Sequence, residues 1–188
     1  IDSKTTALID ALNITNQELK DDFIDTESKT TTKLVQEVVS TVNVIAASGT
    51  TKTKEQIYED IAITINDVTS GNSFDFTIES DIEDIVTKTT IGDQVLKDNT
   101  ITYITNTNSA IDSVADSQDY STVQTQVTSM QTNSVDYYKD DLQKQSPLLT
   151  NPSTNVEAIV NGIAAQNITT QVDIDASQQK PPTPGFTP

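Results

Sequence analysis

Leu12, Phe23, Leu34 and Ile45 stand eleven residues apart, with mostly polar sequence between them. Steps of three or four connect them through Leu8, Thr15, Leu19, Thr26, Thr30, Val38 and Val42. The mean step is about 3.7, the spacing of an eleven-residue repeat, which favours straight or slightly right-handed helix packing. The phase predicts one helix over about residues 4–48, roughly 65 Å long at 1.5 Å per residue. Asp2 or Ser3 can open it, and Ser48-Gly49 supplies a stop. Its weak stretch is Asp25–Thr32, where Thr, Ser and Asp lower helix propensity and divide the same pattern into two ordinary helices.

Beyond the stop, Thr53 and Gln56 have capping-box spacing. Two readings of the next stretch stand open. Ile61, Ile63 and Ile65 alternate, as do Phe74, Phe76 and Ile78, with turn formers between them, which reads as a small β-hairpin at 61–78. The rival is a helix through Ile57, Ile61, Ile65 and Val68, fed directly by the cap and ended by Gly71. Helical phase resumes through Ile82, Ile85, Leu96, Tyr103, Ile111 and Val114, interrupted at Gly92 and weakened by the strand-favouring TITYIT at 100–105. A further arm runs from Asp119 through Val123, Val127, Met130, Tyr137 and Leu142 to Ser146, where Pro147 ends it. Thr154 and Glu157 then open a last helix to about Thr170.

Only 34% of the chain is hydrophobic, too little for a compact sphere of 188 residues but enough for a thin bundle. The expected fold is therefore mainly α: an elongated bundle of four to five helices, with long antiparallel members. One helical domain spans 1–178, and 179–188 form a Pro-rich extended tail. Within that tail Pro181, Pro182 and Pro184 make a bare PxxP pattern with no flanking Arg, which reads as a tail rather than a signalling ligand.

The net charge is −17, and all 11 basic residues are Lys. Such a surface repels phosphate backbones and anionic headgroups and lacks the bidentate grip of Arg. Cys and His are both absent, which removes thiol and imidazole catalysis and any Cys/His zinc site. Carboxylate chemistry remains open. Asp21 with Asp25, Glu79 with Glu83, and Asp81 with Asp84 sit at helical spacing, but without a Gly-containing calcium loop they read as solvated faces. Asp136, Asp140 and Asp141 beside Tyr137 and Tyr138 are equally unspecific. No catalytic, metal or cofactor residue is assigned. Asn13 and Asn167 match the glycosylation acceptor pattern, a weak signal in a chain this rich in Asn and Thr.

The opening on Ile1 rather than Met fits a processed precursor or an excised piece. With the Asp- and Thr-rich flavour, it suggests an extracellular, cell-surface or virion-surface setting. The expected function is non-enzymatic: a structural subunit of a surface, filament or virion assembly, partnered by itself or by other structural proteins. Pro181, Pro182, Pro184 and Phe186 are its candidate assembly contacts. An extracytoplasmic sensory or ligand-binding bundle is the alternative, and a helical pore-forming toxin with 61–78 as its tongue the third; DVTSGNS is too polar for the last. The charge predicts no binding to DNA or to anionic vesicles at physiological salt. A mobility-shift assay checks the first, and salt-sensitive sub-micromolar affinity would contradict the electrostatic reading.

Overall fold

A computed structural model describes residues 28–68 and 74–144. Among the described residues there are five helices and no strand: α1 Lys29–Ala47, α2 Lys54–Val68, α3 Glu79–Lys88, α4 Gln94–Asp112 and α5 Tyr120–Lys144. A helical bundle is the coarse architecture that results.

The first helix does not run from 4 to 48 as one piece. Ser28 has extended dihedrals (φ −74°, ψ 101°), and its hydroxyl accepts from the Thr31 amide, so a helix begins at Lys29. The reason is local. A Ser that can bond the free amides of a helix start stabilises a boundary more than an interior position. Leu12 and Phe23 lie outside the described residues; Ile45 is fully buried, and Leu34 packs against the core half-buried. α1 stops where expected: Ser48 N–H bonds back to Val44 and Ile45, and Gly49 takes φ +84°, the left-handed region that lacks a Cβ penalty only for glycine.

Of the two readings of 61–78, the possible hairpin gives way to the helix over its first part. Ile61, Ile63 and Ile65 belong to α2, with Ile61 and Ile65 buried and Ile63 exposed, as a 3.6-residue period requires. The capping box is made in both directions: Thr53 N–H donates to Gln56 Oε1 at 2.9 Å and Gln56 N–H to Thr53 Oγ1 at 3.4 Å. Residues 74–78 form a turn that drops Phe76 into the core, edge-on to Phe74 at 4.8 Å. Gly92 marks a real break, since α3 ends at Lys88 and Asp93 caps α4 through the Leu96 amide. TITYIT is helical inside α4, its β-branched residues packed by their neighbours rather than paired in a sheet.

α1, α4 and α5 pack on one another, while α2 lies against α1 and α3, and α3 against α4. Lys33 meets Asp112 and Thr41 meets Asn108, so α1 and α4 run antiparallel. Thr100 meets Tyr138 and Tyr103 meets Ser134, so α4 and α5 do likewise. α1 and α5 are consequently parallel, with Thr32 against Tyr120 and Ser40 against Ser134. Antiparallel packing is therefore not general. The core is aliphatic and β-branched (Val42, Ile45, Ile57, Ile61, Ile65, Ile82, Ile85, Ile104, Ile111) with Tyr103 and Tyr138 set edge to face at 5.1 Å.

Two substitutions should separate the two kinds of contact in that core. Ile45→Ala should cost about 2–5 kcal/mol of unfolding free energy through lost packing and a cavity. Tyr138→Phe should cost only about 1 kcal/mol, because it removes the hydroxyl bond to Thr100 while leaving the ring. Urea denaturation of the three chains measures both.

Candidate functional site

The residues singled out from the sequence do not converge. Glu79, Glu83 and Asp84 are exposed on α3, and Asp81 uses its carboxylate to accept from the Asp75 amide at 2.9 Å. Asp136 and Asp140 are exposed on α5, while Tyr138 beside them is buried as core. Asp21, Asp25, Asn13, Asn167, Pro181, Pro182, Pro184 and Phe186, the last helix expected at 154–170 and the tail 179–188 lie outside the described residues.

What the fold does gather is a polar seam between α1, the C-terminal half of α4 and the turn 74–78. It starts at the α4 end, the negative pole of the helix, where Asp112 O is free of a helical partner. One lysine of α1 reaches that end and a second reaches the loop after it. Lys33 Nζ donates to Asp112 O at 2.9 Å and pairs with the Asp116 carboxylate at 2.8 Å; Lys29 Nζ donates to Asp116 O at 2.7 Å and also to Gln118 O. The Lys33 side chain is 8% exposed, whereas Asp116 is 70% exposed, so the pairing is partly screened and the carbonyl bond is the sheltered contact. The Lys33 hydrogen bond holds the Asp116 carboxyl below its ordinary range. Asp119, which opens α5, is held well below the carboxylate range by bonds from the Ser121 hydroxyl and then the Thr122 amide and hydroxyl.

One turn after Lys33 lies Glu37, buried at 6% exposure. Burial pushes its carboxyl up to about 8; the like charges of Asp112 and Asp75 add to this, and Lys33 opposes it. One turn further, Thr41 donates its hydroxyl proton to Glu37 O at 2.8 Å and accepts from Asn108 Nδ2 at 3.1 Å. The same Asn108 nitrogen donates to Phe76 O at 3.1 Å, tying the turn to α4. Asn108 is fully buried, and its Oδ1 has no hydrogen-bond partner among the described residues. Two acceptors face its nitrogen, so turning the amide over would lose both bonds.

This seam is not legible in the sequence. Lys33 and Glu37, four apart beside an apolar stripe, have the spacing of an ordinary solvent-exposed ion pair. Asn108 has no distinguishing neighbours in a chain rich in Asn. Among the described residues no group of three or more His, Cys, Asp or Glu side chains is arranged to hold a metal ion. No helix among them is long and apolar enough to cross a membrane. Compared with protein families, with characterised proteins and with solved structures, the chain matches none.

Lys33→Met keeps most of the aliphatic stem and removes the charged donor from Asp112 O. Its expected cost is about 1.5–3 kcal/mol, the range for a hydrogen bond to a charged group. Urea midpoints at 50 mM and 500 mM salt measure it; a cost that vanishes at high salt would assign it to the exposed Asp116 pair instead.

Proposed function

We propose that this chain is a non-enzymatic structural module of an extracellular surface, filament or virion assembly, built to be completed by neighbours rather than to turn over a substrate. The observation that carries the reading is where the reactive side chains go. Lys33 is committed to the end of α4 and Lys29 to the loop after it, Asp93 and Asp119 to the starts of α4 and α5, and Asp75 and Asp81 to the turn before α3. Hydroxyls of Thr41, Thr64, Thr100 and Thr107 bond to carbonyls of their own helices. Polar groups used this way hold helices in place, which is what a scaffold needs.

The finer geometry belongs to the same proposal: an elongated bundle over 1–178, with 179–188 as an extended tail. At a charge of −17, contacts between copies have to be apolar seams or docked segments rather than mixed-charge patches. Phe186 is the one large anchor in the tail. Deleting 180–188, or Phe186→Ala, should weaken assembly more than it lowers the thermal midpoint of the bundle. Light scattering and electron microscopy of native particles, beside melts of both variants, test this. A native chain that stays monomeric at high concentration overturns the proposal and favours the sensory-bundle alternative.

A further inference from the structure

Glu37 is a buried acid with no hydrogen bond to its carboxyl among the described residues, although Lys33 lies one turn away. That lysine is committed elsewhere, to Asp112 O and Asp116. The register puts Glu37 between Lys33, which meets Asp112, and Thr41, which meets Asn108. Glu37 is therefore level with the α4 stretch from Asn108 to Asp112, where among the described residues the one buried side-chain atom without a partner is Asn108 Oδ1, an acceptor. A carboxylate there would add an acceptor to an acceptor and a negative charge to two others. A carboxylic acid would instead supply the donor that the seam lacks.

We propose that the proton on Glu37 is a structural latch: shared with Asn108 Oδ1, it holds α4 and the turn 74–78 against α1, and the seam loosens when the proton leaves. The charged groups that act on Glu37 are Asp112 from α4, Asp75 from the turn and Lys33 from its own helix; none of the described charged groups of α2 or α5, which also pack on α1, does so. Both carboxylates favour retention of the proton, and burial does so more strongly.

Linkage gives the sign of the pH dependence. The folded chain keeps a proton that the unfolded chain releases above its ordinary 4.5. This contribution to stability is full below that pH, declines as pH rises through the folded value near 8, and is then spent. Inside the window the unfolding constant rises about tenfold per pH unit from this one group. The trend is opposite to that of a carboxylate in an ion pair.

The test is ¹³C-carboxyl NMR of the full chain from pH 4 to 10, with urea unfolding of wild type and Glu37→Gln across the same range. Gln keeps the shape of the neutral acid and a donor, so its unfolding constant should lack the tenfold-per-unit component that wild type shows between about 4.5 and 8. In the spectra, the resonance absent from the variant should titrate near 8. Asp112→Asn removes one like charge and should lower that midpoint; this and the wild-type titration decide the matter even if Glu37→Gln folds poorly. A Glu37 resonance that titrates in the ordinary carboxylate range, a midpoint unmoved by Asp112→Asn, or identical pH profiles for wild type and Glu37→Gln would each overturn the latch.

Discussion

Thr100 gives its only hydroxyl proton to Leu96 O at 2.7 Å, so the 2.8 Å bond it shares with Tyr138 has to run from the tyrosine. The same logic recurs at two other seams. Thr41 donates to Glu37 O and accepts from Asn108 of α4; Thr64 donates to Asp60 O and accepts from Lys88 of α3. Each threonine links a helix carbonyl to a donor on a different helix. With only 34% hydrophobic residues, the bundle has to bury hydroxyls, and an unsatisfied buried hydroxyl costs about 1–3 kcal/mol. Bonding the hydroxyl back to its own helix meets that cost before any neighbour arrives. The freed lone pair then gives the neighbour a fixed point to bond, so register between helices comes with the seam.

Charge is sorted by the same economy. Acids outnumber lysines 28 to 11, so most helix starts can be given a carboxylate while few helix ends can be given a cation. Asp93 and Asp119 take the starts of α4 and α5, where free amides and the positive pole favour them. The end of α4 takes Lys33 and the loop after it takes Lys29, both from α1. That arrangement fits a start at Lys29: a helix beginning there puts Lys29 and Lys33 one turn apart in its first two turns, level with the α4 terminus and the loop after it.

Helix existence was legible wherever apolar period and a cap agreed. The Thr53–Gln56 box, the Ser48-Gly49 stop, the Gly92 break and the Asp119 start all appear where local chemistry puts them. The eleven-residue phase misled at residue 28 because periodicity reports which face is buried and says nothing about continuity. An apolar phase can continue across a helix start, and only the propensity dip over 25–32 carried the boundary. Ile61, Ile63 and Ile65 show the converse: three β-branched residues fit either period, and the preceding cap decided. The polar seam was illegible for a stronger reason. Glu37 and Asn108 are 71 positions apart, and what makes either unusual is burial against the other's helix.

That burial also explains why Lys33 and Glu37 are not each other's partners. A helical pair four apart gains a few tenths of a kcal/mol in water. Lys33 instead meets Asp112 O at a helix terminus, together with a carboxylate at the surface. With the cation drawn outward, Glu37 is left in a low-dielectric seam between Asp112 and Asp75, where ionisation would be opposed by burial and by both neighbours. For the neutral acid the neighbouring carboxylates carry almost no electrostatic cost, and the unpartnered Asn108 oxygen is an acceptor within its register. The acidic character that keeps the surface hydrated thus adds, through Asp112 and Asp75, to the burial that favours the uncharged form of this one carboxyl.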